Sequence, residues 1–416
     1  MRSALAIAVA VLAALPAVLV RSGNLAAPVE VATLFYGVAI VGAAFAMSWA
    51  AEAAEHDIPR ALALTVVALL AVFPEYAVDI VFAFKAGADP SFAPYATANM
   101  TGSNRLLLGL GWPTVSVLAW LARGQRQIRL TRDAVLPLLF LGIATLYSFS
   151  LPLRASISPI DSVILIAVFG VYALLAARQG TQEPDLIGPA ARIGRLPTAA
   201  RRLSVLALFV FAGVVIALSA EPFADGLVHT GARLGIDEFL LVQWLAPLAS
   251  ETPEFLVAAL LALRGKAVTG ITLLLSAKVN QWTLLIGSLP LAFSLGAGHL
   301  AGLPLDARQT GEVLLTAAQS LFGVAVLASL SFELSEAMLL AGIFVAQLIA
   351  GGVLRAALHE SESANIELYV VSIVYIVLGL LFLFHARDTL RRLVRGDRTV
   401  MEPTDLDGEA EQPYAA

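Results

Sequence analysis

Apolar stretches long enough to cross a bilayer recur along most of this chain. They fall near residues 4–20, 29–54, 60–84, 91–122, 134–151 and 158–177, and again near 203–232, 236–263, 267–297, 311–331, 334–355 and 366–386. A spanning helix needs ~20 predominantly apolar residues, so the pattern predicts an all-α polytopic membrane protein with about 12 transmembrane helices. Between the two sets lies ARQGTQEPDLIGPAARIGRLPTAARR, residues 177–202. Its Pro and Arg content reads as a linker. The expected organisation is an extra N-terminal transmembrane helix over 1–28 (a candidate signal anchor), a first repeat over 29–177 and a cytoplasmic linker over 178–202. A second repeat over 203–355 follows, then an additional C-terminal transmembrane helix over 356–386 and a tail over 387–416. The tail is first basic, which suits anionic lipid headgroups, then acidic and disordered in character.

Two polar interruptions break the apolar pattern in the same way. LLAVFPEYAVD (69–79) and LASETPEFLVA (248–258) each place Pro-Glu inside a span. Each is followed by a short polar turn, and then by a long segment with polar residues at its centre, ANMTGSNRLLLGLGWP or LLLSAKVNQWTLLIGSLP. Asn104 precedes Gly111 by the same interval as Asn280 precedes Gly287. The first Pro-Glu span is the third and the second is the eighth, an odd separation, so the two copies cross in opposite directions. That is an inverted-topology repeat, whose ligand site is expected near the bilayer midplane.

The chemistry of the repeated motif points to a cation. Pro74 cannot donate to the carbonyl of Leu70, nor Pro253 to that of Ala249. Broken helices at membrane depth persist only where they are buried in protein or line a cavity. A carbonyl beside a carboxylate supplies the oxygen ligands a hard cation takes, and ionisable residues within spans mark functional sites. Asp79 lies one turn beyond Glu75 and shares its face. Two close carboxylates raise the proton affinity of one of them, so proton coupling is plausible there, and Asp79 and Glu251 are candidates for carrying protons or a second ion.

Composition narrows the partners. The chain is 59% hydrophobic with mean hydropathy +0.84, and it has no cysteine. Disulfides, thiolate metal sites and cysteine nucleophiles are therefore excluded. A net charge of −5 gives no support for nucleic-acid binding. No Gly-x-Ser-x-Gly, phosphate-binding Gly-Lys-Ser/Thr or His-rich metal motif occurs, so a transporter without cofactor is expected rather than an enzyme. With both termini cytoplasmic, 18 of the 26 basic residues face the cytoplasm and six face the other side. Arg105 and Lys278 remain, both inside spans. This asymmetry fits multi-pass insertion in a plasma or inner membrane.

LAVFPEYAVD with MTGSNRLLLGLG, and LASETPEFLVA with KVNQWTLLIG, resemble the two α-repeats of the sodium/calcium exchanger (calcium:cation antiporter) family. The family motif is roughly Thr-Ser-x-Pro-Glu in one helix and Gly-Ser-Asn in the next, and the resemblance covers about 29–151 and 203–331. It implies ten core spans and alternating access exchanging Ca²⁺ for Na⁺ or H⁺. Glu75 and Glu254 are the implied primary ligands. Asn104, Asn280, Ser103, Ser250, Thr283 and the carbonyls of Leu70 and Ala249 would complete the shell. The chain departs from the motif at Ala71-Val72, which lack the hydroxyls, at Ser250-Glu251, which adds a carboxylate, and at Lys278-Val279-Asn280, which replaces Gly-Ser-Asn.

Glu75, Asp79, Glu251 and Glu254 against Arg105 and Lys278 leave a charge of about −2 if all face one cavity. That suits one divalent or two monovalent cations. It equally permits Lys278 to act as a built-in counter-ion. Two alternatives to Ca²⁺ antiport stay open: a monovalent cation/proton (Na⁺/H⁺) exchanger, and a non-transporting membrane scaffold whose ion site is locked by Arg105 and Lys278. The isolated histidines read as interfacial or solvated, and Asp161 and Glu221 have no partner visible in the sequence.

Overall fold

The computed structural model describes residues 2–54, 57, 73–178, 186–358 and 365–394. Helices dominate: α1 (Arg2–Leu12), α2 (Leu15–Arg21), α3 (Val29–Ala54), α4 (Phe73–Ala88), α5 (Ala93–Leu106) and α6 (Trp112–Arg123). After strand β1 (Gln127–Arg129) come α7 (Val135–Ser148), α8 (Ser150–Arg154), β2 (Ser156–Ile157), α9 (Pro159–Ala176) and α10 (Pro189–Gly194). The second half comprises α11 (Thr198–Leu234), α12 (Glu238–Leu263), α13 (Ala267–Asn280), α14 (Ile286–Ala297), β3 (Leu303–Pro304), α15 (Ala307–Leu327), β4 (Ser331–Glu333) and α16 (Leu334–Leu358). Then come α17 (Ile366–His385) and α18 (Arg387–Val394).

Among the described residues ten helices are long and apolar enough to cross a membrane. Of the twelve expected windows, 60–84 falls partly outside the described residues. The window 267–297 is helical throughout, but its polar centre keeps it below that apolar threshold. Large apolar side chains such as Leu146, Val163 and Ile373 stand on the outer surface, while Glu75, Asn104, Arg105 and Lys278 are buried. This inversion of the soluble pattern is what a hydrocarbon solvent selects.

The halves repeat element by element. The order α3, α4, α5–α6, β1, α7, β2, α9 recurs as α11, α12, α13–α14, β3, α15, β4, α16. Pairing is reciprocal: β1 pairs antiparallel with β4, and β2 with β3. A two-fold operation exchanging the halves maps one strand pair onto the other.

Local chemistry sets the ends and contacts. Ser158 and Asp161 form a capping box on α9, with Pro159 in its first turn, and Asp306 with Gln309 does the same for α15. Asp161 also takes Arg154 Nη2 at 2.6 Å and the Tyr147 hydroxyl, so the carboxylate without a visible sequence partner is a helix cap. Glu221 pairs with Lys85 at 3.5 Å. Ala39, Ala43, Ala46, Ala50 and Ala53 are fully buried along one face of α3, which packs extensively on α11. Small residues let spanning helices approach where lipid offers no competing hydrophobic gain.

Candidate cation site

Each polar stretch is α-helical and runs directly into a π-helical turn. Leu107–Gly111 joins α5 to α6, and Gln281–Leu285 joins α13 to α14. Such turns alter the i→i−4 ladder and cluster at functional sites. The irregularity sits there and not at the second proline: α12 runs without interruption through Pro253. Proline fits helical φ and removes only the donor to Ala249, leaving neighbouring turns to hold the helix. Ala249 is half-buried, and Leu70 lies outside the described residues.

Each Pro-Glu helix packs on the kinked helix of the opposite half, α12 on α5 and α4 on α14. Two glycines permit this. A Cβ on Gly102 would lie 1.8 Å from the carbonyl oxygen of Gln243, and one on Gly296 would lie 1.9 Å from that of Phe84. No side chain fits at either crossing.

Where these elements converge, a cavity of about 10 Å³ is lined by Glu75, Leu107, Ser250, Glu251, Glu254, Ala277 and Gln281. That is room for about one water-sized particle. Glu75 Oε1, both carboxylate oxygens of Glu251 and Glu254 Oε2 are shielded and have no protein hydrogen-bond partner. The same holds for Ser103 Oγ, Gln281 Oε1 and both oxygens of Asp79. Buried polar atoms are almost always paired, so each exception needs a reason. Among the described residues no three acidic or histidine groups converge closely enough to hold a metal on their own. A shell that also draws on amide, hydroxyl and carbonyl oxygens is the remaining option, as hard cations accept.

The asparagines are each held from the other half. Lys278 Nζ donates to the backbone oxygen of Asn104 at 2.9 Å and to its Oδ1 at 2.7 Å. Tyr76 donates its hydroxyl to Asn280 Oδ1 at 2.8 Å. Ser250 Oγ donates back to the Ala246 and Pro247 carbonyls, and Thr283 to that of Val279, so both hydroxyls keep acceptor lone pairs.

Arg105 is placed elsewhere. Its guanidinium pairs with Glu312 and Gln347 and stacks over Trp244, away from Glu75, Glu251 and Glu254. The reason is register: Arg105 follows Asn104 by one residue, which turns it about 100° around the helix. Glu312 also takes Gln243 Nε2 at 2.9 Å, and Arg355 reaches Glu367 at 3.4 Å. Gln281, Tyr76, Gln243 and Glu312 belong to no motif in the sequence. Glu312 carried the clearest signal, a carboxylate within the 311–331 window. The exposed His229 and His299 bond carbonyls of their own helices or turns, as interfacial histidines do.

The family profile described as sodium/calcium exchanger protein matches residues 30–178 and 204–353, well over half of the chain. The chain belongs to this family. Among solved structures, the crystal structure of the H⁺/Ca²⁺ exchanger CAX is similar to this family member at 42% identity and TM-score 0.87, covering 96% of this chain and 99% of that one. Native YfkE (16% identity, TM-score 0.56, covering 90% and 100%) and the sodium-calcium exchanger NCX_Mj (15%, 0.52, covering 77% and 98%) share the fold. No curated protein matches the sequence. The chain is thus a multi-pass membrane protein of an ion-exchanger family.

Proposed function

We propose that this protein is a secondary active antiporter exchanging Ca²⁺ for H⁺ by alternating access. The observation that carries the reading is that Glu75, from the first half, and Glu251 and Glu254, from the second, line one ion-sized cavity with oxygens that lack protein partners. Buried unpaired carboxylates are costly. They are retained where a cation or a proton takes up the unpaired oxygens in turn. The similarity to CAX, titled an H⁺/Ca²⁺ exchanger, supports the ion pair.

Glu75 and Glu254 serve as primary Ca²⁺ ligands. Ser103, Ser250, Asn280 and Thr283 and the carbonyls of Leu70 and Ala249 supply further oxygens; the Asn104 oxygens, already engaged by Lys278, are not among them. Glu251 and Asp79, each with two unpaired oxygens, take protons when the cation leaves. Crowding of like charges favours that uptake. Both termini and the 178–202 linker face the cytoplasm, on the charge asymmetry of the loops.

The test is ⁴⁵Ca²⁺ flux in proteoliposomes under imposed pH and Na⁺ gradients. Proton-driven flux is expected in the wild type and absent in Glu75→Gln and Glu254→Gln; flux surviving both substitutions overturns the site. Lack of any cation exchange would favour the scaffold reading, to which the Lys278–Asn104 contact lends weight. Because the chain has no cysteine, single Ala200→Cys and His299→Cys variants report orientation. An impermeant maleimide should label His299→Cys from outside intact cells and leave Ala200→Cys unlabelled.

A further inference from the structure

The pseudo-two-fold arrangement is unequal at one point. Asn280 is held by a neutral hydroxyl, Tyr76, whereas Asn104 is held by an ammonium, Lys278. Lys278 is fully buried, and among the described residues it makes no ion pair with a carboxylate. Its Nζ instead rests on two carbonyl oxygens of one residue, at 2.9 and 2.7 Å, and lies 4.7 Å from the centroid of the Trp282 ring.

The surroundings hold this geometry in place. Asn104 Nδ2 donates to the Met100 carbonyl at 2.9 Å, which orients Oδ1 toward Lys278. Trp282 Nε1 donates to Ser148 Oγ at 3.1 Å, which fixes the ring. Two neutral carbonyl oxygens and an aromatic face, without a carboxylate in direct contact, form a site for a single positive charge. Alkali cations and small ammonium ions bind such faces, whereas a divalent ion takes more oxygens and usually carboxylates.

We infer that the Asn104 carbonyl oxygens and the Trp282 ring form a monovalent-cation subsite whose tethered occupant is the Lys278 ammonium, and that this occupancy excludes Na⁺ as a counter-ion. The inference rests on the antiport reading for its second half only. Lys278 is a specificity-determining residue here: its covalent tether keeps the charge in the protein through each cycle, so no free alkali ion enters at this position. Ca²⁺ exchange is then left to the carboxylates and protons of the adjoining cavity.

The first measurement needs no variant. In wild-type proteoliposomes, a Na⁺ gradient without a pH gradient should drive no ⁴⁵Ca²⁺ flux; Na⁺-driven flux overturns the exclusion. The second is thermal unfolding in detergent with NaCl, methylammonium chloride or choline chloride. Wild type and Lys278→Arg should unfold at the same temperature in all three. Lys278→Ala should be stabilised by Na⁺ or methylammonium over choline, and a second substitution, Asn104→Ala, should remove that response.

In flux assays Lys278→Ala should become dependent on Na⁺ or methylammonium by about tenfold, the factor equivalent to ~1.4 kcal/mol of binding. Lys278→Ala that folds and ignores both ions overturns the subsite. Should Lys278→Ala not fold, Lys278→Ser with the same salts decides the question. If wild type moves no Ca²⁺ against H⁺ but Lys278→Ala still gains Na⁺-dependent stability, the antiport reading fails and the subsite stands.

Discussion

Two buried acidic clusters lie close together in this bundle and are treated oppositely by the fold. In one, Glu75, Asp79, Glu251 and Glu254 present shielded oxygens without protein partners. In the other, Glu312 is held by Arg105, Gln243 and Arg355, and Glu367 by Arg355 and Gln347. The second cluster is close to charge-balanced, two carboxylates against two guanidiniums, and it ties α5 and α12 to α15, α16 and α17. The first has no cation within ion-pair distance among the described residues. A charged cluster that exists to hold helices together is paired by the protein itself; one that exists to receive an ion leaves its oxygens open. Burial alone does not tell the two apart.

The comparison is broken most strongly at its paired member. Arg105→Ala strands the buried carboxylate of Glu312 and should cost ~3–5 kcal/mol, the usual penalty for removing one partner of a buried pair. A marked drop in the thermal unfolding temperature in detergent is expected, and an unchanged midpoint would mean that the cluster does not tie the helices. Next is packing. Gly102→Ala drives a Cβ into the Gln243 carbonyl and should cost ~1–3 kcal/mol as the helices part. Because α5 carries Ser103, whose hydroxyl is open, Ca²⁺ flux should fall more than stability does; equal losses would separate the crossing from the site.

At the open cluster the sign reverses. Glu75→Gln and Glu254→Gln remove a buried charge without stranding a partner, so unfolding temperatures in Ca²⁺-free buffer should be unchanged or raised. The stabilisation that Ca²⁺ gives the wild type should vanish in both. Destabilisation as large as that of Arg105→Ala would show that these carboxylates are structural after all.

The smallest effect belongs to a carboxylate outside the membrane. Arg201 and Arg202 hold Asp57 below its ordinary value of 3.8, at about 2, with the Arg201 hydrogen bond the largest cause. A lowered folded-state value means that the contribution is complete above the ordinary value and is lost as pH falls through about 2. The unfolding temperature of Asp57→Asn should therefore lie slightly below wild type by a constant amount between about pH 5 and 8. The gap should close in strong acid; a gap that varies across the neutral range would contradict the pairing.

Much of this was legible in the chain. Span positions follow from apolar run length, because hydrocarbon admits only segments that satisfy their own backbone. The repeat follows from matched Pro-Glu and asparagine spacing, since two copies of one motif conserve intervals. Lys278 and Arg105 look alike on paper, each a cation in a span beside an asparagine. One precedes its asparagine by two residues and the other follows by one, and that difference in helical angle sends Lys278 to Asn104 and Arg105 to Glu312. Gln243 and Gln281 carry no charge to flag them in a span, so their place in the polar core was not visible.

By itself the sequence determined the membrane setting, the helical class and the internal repeat, because each depends on local composition or on spacing along one chain; the family followed from the resemblance of its motifs. Only the tertiary structure decided which buried carboxylates are paired, that Lys278 rests on the Asn104 oxygens and that Tyr76 holds Asn280. Those contacts join residues more than a hundred positions apart. Their partners are selected by how α4 and α12 cross the opposite half at Gly296 and Gly102, a geometry that no local pattern encodes.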